Sequence, residues 1–214
     1  LLPTEKEPVV LLDVGATVDC KPYNIFQFGL MGDAFARDIL NKESPRVGLL
    51  SIGEEEGKGN SQVKEAYELF KMAQNLNFSG NIEGRDLFTG EMDVAVCDGF
   101  VGNVALKLSE GLGLSLSRVL KRELLNSGFL PKLGSLLAKS AFRRFAKVVD
   151  YAEYGGAPLL GLQNISIVCH GRSSARAMQN AIKMAGTFVR KGTNDRLAET
   201  ILANEELTRF SRAI

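Results

Sequence analysis

Two polar, glycine-rich segments carry side chains that could handle a negatively charged reactant. The first is Gly57-Lys58-Gly59-Asn60, where the glycines let backbone N–H groups approach an anion and Lys58 adds an ammonium. Its spacing differs from the G-x-x-x-x-G-K-[ST] loop of nucleoside triphosphatases. The segment therefore predicts either an anion cradle or a solvated turn, and the preceding glutamates at 54–56 suit a solvated surface.

The second segment is Asp98-Gly99-Phe100-Val101-Gly102-Asn103, which follows an apolar run. A backbone N–H and the Asn103 carboxamide could both donate hydrogen bonds to a developing oxyanion. One such donor is typically worth about 2.7–4 kcal/mol of barrier. In the structural alternative, Asp98 caps the next helix and Gly99 and Gly102 only form the turn.

Other polar positions are weaker candidates. Asn81, Glu83 and Arg85 form a polar turn, which an internal Glu83–Arg85 contact would also explain. His170, the only histidine, precedes Gly171 at the end of an apolar run, where it could act as a general base or as a structural hydrogen-bonding group. The three scattered cysteines lack zinc-site spacing, and no G-x-G-x-x-G dinucleotide fingerprint occurs, so no metal or cofactor is predicted.

Short apolar runs must position these segments. Four of them occupy 9–14, 46–52, 93–97 and 165–169, and a fifth is expected before Gly80. Helical patterns follow: one opens at Pro22 and runs to about Leu40, one is capped by Ser61, and one ends near Lys191. This alternation predicts an α/β fold with a mostly parallel sheet and helices on both faces. Ligands bind at the carboxyl ends of such strands, so the turns should converge on one cleft.

The segment 104–150 breaks this rhythm and is predicted to form a helical arm within a single domain, 1–214. Its first part has an apolar residue every fourth position, at Val104, Leu108, Leu112, Leu116, Leu120 and Leu124. Gly111 and Gly113 within it indicate either close helix packing, for example across a dimer interface, or a hinge. The part at 124–147 mixes leucines and phenylalanines with lysines and arginines.

Composition excludes several classes of protein. The chain has 26 Lys and Arg against 25 Asp and Glu, a net charge of +1, which excludes a globally basic nucleic-acid binder and an acidic disordered tail. Three cysteines, an odd number, favour the reducing cytoplasm. The chain starts with Leu1 rather than Met, so we expect a fragment whose N-terminal part is absent.

In their order, these segments resemble those of the bacterial phosphate acyltransferases known as PlsX, the fatty acid/phospholipid synthesis proteins. The matching stretches are LLDVGATVDCKP (11–22), PRVGLLSIGEEEGKGN (45–60), NFSGNIEGRDLFTGEMDVAVCDGFVGNVALK (77–107), YGGAPLLGL (154–162) and HGRSS (170–174). The resemblance covers nearly the whole chain. The family's upstream D-A-M-G-G-D and S-A-G-N-T-G-A motifs do not occur in it.

The resemblance implies transfer of a long-chain acyl group from acyl carrier protein to inorganic phosphate, without a cofactor. The acyl phosphate would serve a membrane glycerol-3-phosphate acyltransferase. It also implies an isocitrate/isopropylmalate dehydrogenase-like fold, a homodimer, a functional lysine at Lys58 and a functional asparagine at Asn103. The phosphate- or thioester-binding residues predicted with them are Gly57, Gly59, Asn60, Asn81, Glu83, Arg85, Asp98, Gly99, Gly102, His170 and Gly171.

This chemistry needs no protein nucleophile, because phosphate is itself one. We expect Lys58 and nearby N–H groups to neutralise phosphate, and Asn103 to hydrogen-bond the thioester carbonyl or the oxyanion, although the two roles could be exchanged. The 124–147 segment could touch an anionic membrane surface, a dimer partner or the acidic carrier protein. The alternatives are a short-chain phosphotransacetylase that uses acyl-coenzyme A, a nicotinamide dehydrogenase and a non-enzymatic membrane-associated scaffold of lipid synthesis.

Overall fold

A four-stranded parallel sheet organises the chain in the computed structural model, which describes residues 1–148, 155–171 and 173–205. Its strands are β1 (Val10–Leu12), β2 (Val47–Leu50), β3 (Phe78–Ile82) and β4 (Val94–Val96), in the spatial order β1-β4-β2-β3. The predicted α/β class and parallel sheet are confirmed. Residues 149–154, where the predicted arm ends, and Arg172 lie outside the described residues, as do the side chains at 146–148.

Two helices cover one face of the sheet. Helix α1 (Pro22–Ile39) has the predicted bounds and begins at a proline, whose missing N–H costs nothing in a first turn. Helix α2 (Ser61–Met72) is capped by Asn60, whose side-chain oxygen accepts the Val63 N–H at 2.9 Å. The prediction that Ser61 is the cap is therefore wrong, because Ser61 is already the first helical residue.

Glycines let α1 lie unusually close to its neighbours. A Cβ atom at Gly29 would lie 2.2 Å from the Phe70 ring of α2, and one at Gly32 would lie 2.5 Å from Val94 in the central strand β4. The Phe70 ring also meets Phe26 edge-on, with 5.4 Å between ring centroids. Helix α1 thus contacts the core through its backbone as well as its side chains.

A second apolar cluster covers the opposite face. This cluster joins the sheet residues Leu11 and Ala95, and the adjacent Cys97, to Leu2 and Leu87. Leu87 lies in the 3₁₀ turn Asp86–Phe88. Ala105 and Leu106, which follow β4 in the chain, also pack on this cluster. Burial and the nearby Asp98 carboxylate raise the pKa of the Cys97 thiol far above its ordinary value, so this cysteine stays a neutral thiol.

At the amino edge of the sheet, Asp93 is buried and joined to basic groups. Its carboxylate accepts the Arg46 N–H at 2.8 Å and lies 3.0 Å from the Lys42 ammonium. Burial alone would raise the pKa of Asp93, but the backbone and cationic donors outweigh it and lower the pKa below its ordinary value. This carboxylate fixes the edge opposite the loops that follow the strands.

Three consecutive helices follow β4: α3 (Gly99–Asn126), α4 (Phe129–Leu137) and α5 (Lys139–Val148). Within α3, the buried residues are Gly99 and Gly102 of the first turn. The apolar stripe beyond that turn is exposed, with Leu108, Leu112 and Leu116 each at least 60% accessible. A Cβ at Gly111 or Gly113 would meet no atom within 4 Å.

The last apolar run does not join the parallel sheet. Strand β6 (Ser166–Val168) pairs antiparallel with β5 (Ala157–Leu159), so the prediction that 165–169 extends the main sheet is wrong. Only six residues separate the two strands, and a connection this short allows a hairpin, whereas a parallel pair needs a crossover of roughly a dozen residues. Helices α6 (Ala175–Lys191) and α7 (Thr193–Ala203) then pack on α1, and α6 ends where predicted.

Strand β3 also differs from the prediction. Gly80 and Asn81 lie within the strand rather than in a turn after it, and Asn81 pairs in register with Leu49 of β2. Gly80 has φ of +92°, a conformation open to glycine, and the β2–β3 register shifts between Val47 and Leu49. A glycine at a strand irregularity has the same sequence signal as a glycine in a turn.

Candidate functional site

Loops from all four parallel strands meet at one edge of the sheet, because the carboxyl ends of parallel strands point the same way. Lys58 lies on the loop after β2, and Asn103 lies near the start of α3, shortly after β4. Strands β2 and β4 are neighbours. The sheet therefore brings the loop of Lys58 and the helix turn of Asn103 to the same edge.

The β4–α3 junction is a capped helix start. The Asp98 carboxylate accepts the Val101 N–H at 2.9 Å, its carbonyl accepts the Gly102 N–H at 3.0 Å, and the Gly99 N–H donates to Thr17 at 2.9 Å. Within the described residues, these bonds leave the Phe100 N–H as the unused donor of the first turn. Asp98 therefore caps α3, as the structural alternative predicts. The Asn103 side chain is exposed.

Glycines at this junction are required by close backbone approach. A Cβ at Gly102 would lie 1.8 Å from the Asp13 carbonyl oxygen, and one at Gly99 would lie 2.6 Å from the Thr17 carbonyl oxygen. Gly15 of the same β1 loop lies against Asn103, and a Cβ placed at Gly15 would be 3.7 Å from the Asn103 side chain. The loop 13–17 thus lines the whole inner side of the first turn of α3.

Lys58 lies on a tight turn whose base is buried. Its N–H donates to the Glu55 carbonyl at 3.0 Å, and that same carbonyl accepts the Asn81 side-chain amide at 2.9 Å. Asn81 is only 5% exposed, so it holds this turn from below. Within the described part of the chain, the exposed Lys58 ammonium takes part in no ion pair and is free to meet an anion.

Side chains link this turn to the β1 loop. Gln62, in the first turn of α2, donates to the Cys20 carbonyl, and the Cys20 thiol donates to the Thr17 carbonyl at 3.0 Å. Burial raises the pKa of the Cys20 thiol, which keeps it a hydrogen-bond donor rather than a thiolate. The loops that carry Lys58 and Asn103 are thereby joined by a short chain of hydrogen bonds.

Glu83 and Arg85 make the internal contact that the sequence offered as an alternative. The Arg85 Nε lies 3.1 Å from the Glu83 carboxylate, and Arg85 also lies 3.6 Å from Glu54 on the β2 loop. Arg85 is mostly exposed. This pair extends the polar edge toward β3 without entering the region around Asn103.

A cavity of about 670 Å³ opens beside Asn103. Its walls are mainly apolar and include Phe28, Met31 and Leu106, whereas Asn103 and His170 add polar groups to its lining. The residues Gly57, Lys58, Gly59, Asn60, Asn81, Glu83, Arg85, Asp98, Gly99, Gly102 and Gly171 do not line it. The structure thus brings Asn103 and His170 to one cavity, and leaves Lys58 at the same sheet edge but outside that cavity.

Neither a metal site nor a membrane span is found in the described ranges. No group of three or more His, Cys, Asp or Glu side chains there is placed to hold a metal ion. No helix in the same ranges has the length and apolar content needed to cross a bilayer.

Fold and site together define an α/β protein that presents an ammonium and a carboxamide at the carboxyl ends of neighbouring parallel strands. The chain belongs to the fatty acid synthesis protein family, whose model matches residues 1–196. This confirms the resemblance stated from the sequence motifs.

Similar curated proteins carry the name phosphate acyltransferase. Those of Nitratidesulfovibrio vulgaris and Lawsonia intracellularis are 75% and 68% identical over 214 and 213 residues, each covering 100% of this chain. That of Syntrophotalea carbinolica is 56% identical over 209 residues, or 97% of this chain. The chain spans between 60% and 62% of the length of these relatives.

Sequence reasoning missed two residues that build the site. Asp13 lies near the end of the apolar run 9–14, and an aspartate shortly before Gly15-Ala16-Thr17 is a signal for side-chain bonds to the following backbone. Gln62 is one position of a helical pattern, and its contact with Cys20 depends on the spatial order of strands. The first could be found from sequence, but the second needs the fold.

Proposed function

We propose that this chain supplies reactive-site groups of an enzyme that transfers a long-chain acyl group from acyl carrier protein to inorganic phosphate. The product is acyl phosphate for phospholipid synthesis. The observation that carries the proposal is the placement of the exposed Lys58 ammonium and the exposed Asn103 carboxamide at one edge of the sheet. The name phosphate acyltransferase of the curated relatives supports it.

The reaction matches what these groups can do. A phosphate oxygen attacks the thioester carbonyl carbon, and the carbonyl electron pair moves to oxygen to give a tetrahedral oxyanion. When the oxyanion collapses, the C=O bond re-forms, the C–S bond breaks, and the carrier's thiolate leaves and takes up a proton. Donors aimed at the developing oxyanion lower the barrier, and a cation is needed to hold an anionic nucleophile nearby.

We assign each group a role that its position supports. Lys58 neutralises phosphate together with N–H groups at the start of α2, where the helix dipole also favours an anion. Asn103 donates through its carboxamide to the thioester oxygen, on the wall of the large cavity. Gly57, Gly59, Asn60 and Asn81 shape the turn that carries Lys58, and Gly99 and Gly102 allow the close approach beneath Asn103.

The decisive experiment needs a chain of full family length. A chimera joins this chain to the part of the Nitratidesulfovibrio vulgaris relative that it does not match. In that chimera, Lys58→Met should lower acyl phosphate formation from palmitoyl carrier protein at least 100-fold. The control is Lys64→Met, which removes another exposed ammonium in the first turn of α2 and should keep near-normal turnover.

Two outcomes would contradict the proposal. Near-normal turnover of Lys58→Met would remove the lysine from the reaction, and equal losses in both variants would show only a general charge effect. Acetyl-coenzyme A as a better acyl donor than the carrier thioester would instead favour the short-chain phosphotransacetylase.

The exposed helices support a further part of the proposal, a helical arm. We assign α3 to α5 to an arm on a dehydrogenase-like domain, with the apolar stripe of α3 buried against a second copy in a homodimer. On α4, Phe129, Leu130, Leu136 and Leu137 are 64–79% exposed, and α4 and α5 carry Lys132, Lys139, Arg143 and Arg144. Apolar and basic side chains together suit an anionic membrane surface, which supports the proposal that the enzyme works in the cytoplasm, peripheral to the membrane.

A further inference from the structure

We propose that Asp13 is a positioning residue that holds the first turn of α3, and with it Asn103, in the reactive geometry. The inference rests on the proposed function of Asn103. Asp13 follows β1 and is 5% exposed, and the reaction proposed above does not use it. A buried carboxylate is costly unless it is fully hydrogen-bonded, so its partners indicate its purpose.

The partners of the Asp13 carboxylate are backbone groups of its own loop. One oxygen accepts the N–H groups of Gly15 at 2.9 Å and Ala16 at 2.8 Å, and the other accepts that of Thr17 at 2.7 Å. Bonds to an ionised acceptor are stronger than neutral ones. Three of them on one carboxylate set the course of the backbone from 13 to 17.

This loop is the surface on which α3 begins. The Thr17 carbonyl accepts the Gly99 N–H at 2.9 Å, and the Asp13 carbonyl occupies the space that a Cβ at Gly102 would need. Asp13 is also bonded to the end of β4 through its N–H, which donates to the Cys97 carbonyl at 3.2 Å. Any change in the path of the loop is therefore passed on to the turn that carries Asn103.

Two substitutions remove the hydrogen bonds of the Asp13 carboxylate to different extents. In Asp13→Asn, the remaining oxygen can still accept from Gly15 and Ala16, but the new NH₂ faces the Thr17 N–H, and two donors then oppose each other. In Asp13→Ala, all three bonds are lost. A misplacement of about 1 Å can cost about 100-fold in rate, so we expect kcat to fall about 10-fold in the first variant and about 100-fold in the second.

The first test measures the backbone directly, on this chain alone. Amide hydrogen exchange at Thr17 and at Gly99 should become at least 10-fold faster in Asp13→Asn than in the parent. The Thr17 N–H loses its acceptor, and the loop that carries the Thr17 carbonyl, which is the acceptor of the Gly99 N–H, shifts. The matched control is Asp93→Asn, which alters a buried carboxylate at the opposite edge of the sheet. In that variant, exchange at Gly99 should quicken no more than exchange at the core amides does, because only the global stability falls. Unchanged exchange at Gly99 in Asp13→Asn would overturn the proposal.

The second test measures the reaction in the full-length chimera. For a positioning residue, kcat should fall in the order parent, Asp13→Asn, Asp13→Ala, with the KM for phosphate changed less than threefold and the pH profile of kcat unmoved. Asp93→Asn should keep kcat within twofold of the parent. Equal kcat in all variants would overturn the proposal, and so would a pH profile that loses one limb, since Asp13 would then be a general base.

Failure of the two ideas can be told apart. If the unsubstituted chimera formed no acyl phosphate, the proposed function would fail. Exchange at Gly99 in this chain would still decide whether Asp13 holds the start of α3.

Discussion

Replacing Gly102 by alanine tests the close contact between the β1 loop and α3. The new Cβ would lie 1.8 Å from the Asp13 carbonyl oxygen, 2.9 Å from its carbonyl carbon and 3.0 Å from the Cys97 sulfur. The first two atoms belong to the backbone, which cannot turn away as a side chain can. The first turn of α3 must therefore move off the loop.

The size of this effect follows from the geometry. A separation of about 3.0 Å is the lower limit for real Cβ contacts, so the helix must move by about 1.2 Å. Overpacking of this kind lowers the free energy of unfolding by about 1–3 kcal/mol. Because the neighbouring atoms are backbone and cannot rotate away, we expect a loss of about 3 kcal/mol. Alanine regains about 1 kcal/mol of helix propensity, which leaves a net loss of about 2 kcal/mol. For a chain of this length, the melting temperature should fall by about 4–8 °C.

The assay is thermal and urea unfolding of this chain, followed by far-ultraviolet circular dichroism. The matched control is Gly111→Ala in the same helix, where the new Cβ meets no atom within 4 Å and should stabilise the chain by up to about 1 kcal/mol. The two alanines should thus shift stability in opposite directions. If Gly102→Ala were as stable as the parent, the packing of the β1 loop on α3 described above would be incorrect.

Three further predictions concern other parts of the molecule. Asp93→Asn should cost about 2 kcal/mol at pH 7, and because the native pKa of Asp93 is lowered, the gap to the parent should close as the pH falls below about 4 in urea titrations; a gap independent of pH would contradict this. Asn60→Ala should cost about 1 kcal/mol in the same assay, because α2 loses its cap, whereas no loss would mean that Asn60 is not the cap. The chain should sediment with anionic liposomes and lose binding when Leu136, Leu137 and Phe142 become polar; sedimentation unchanged by these substitutions would favour a dimer or carrier-protein contact.

Local patterns predicted the helix bounds and the sheet class well. Pro22 predicted the start of α1, and the apolar strand runs predicted a covered parallel sheet, because both signals are local. The sheet that a strand joins is not determined by local sequence. The run at 165–169 has the composition of a core strand but pairs with β5 in a hairpin. Gly80 likewise gave no indication whether it lies in a turn or in an irregular strand.

The sequence motifs name residues of the candidate site but not how they are arranged. The glycine-rich segments indicated Lys58 and Asn103, and the parallel sheet places those segments at one edge. That Asn103 and His170 share a cavity without Lys58 depends on where the β5–β6 hairpin lies. Asn81 holds the Lys58 turn because strands β2 and β3 pair in a particular register. That register cannot be read from the sequence.

The two glycines of α1 that face the core, Gly29 and Gly32, limit how this sequence can vary. The Phe70 ring occupies the space above Gly29, and Val94 occupies the space above Gly32. The residue type that α1 can accept at each glycine position therefore depends on the size of the side chain opposite it. A bulkier residue on the helix is tolerable only beside a trimmed one on the other side, such as Gly29→Ala with Phe70→Leu. Redesign that enlarges either glycine must therefore also shrink the side chain opposite it.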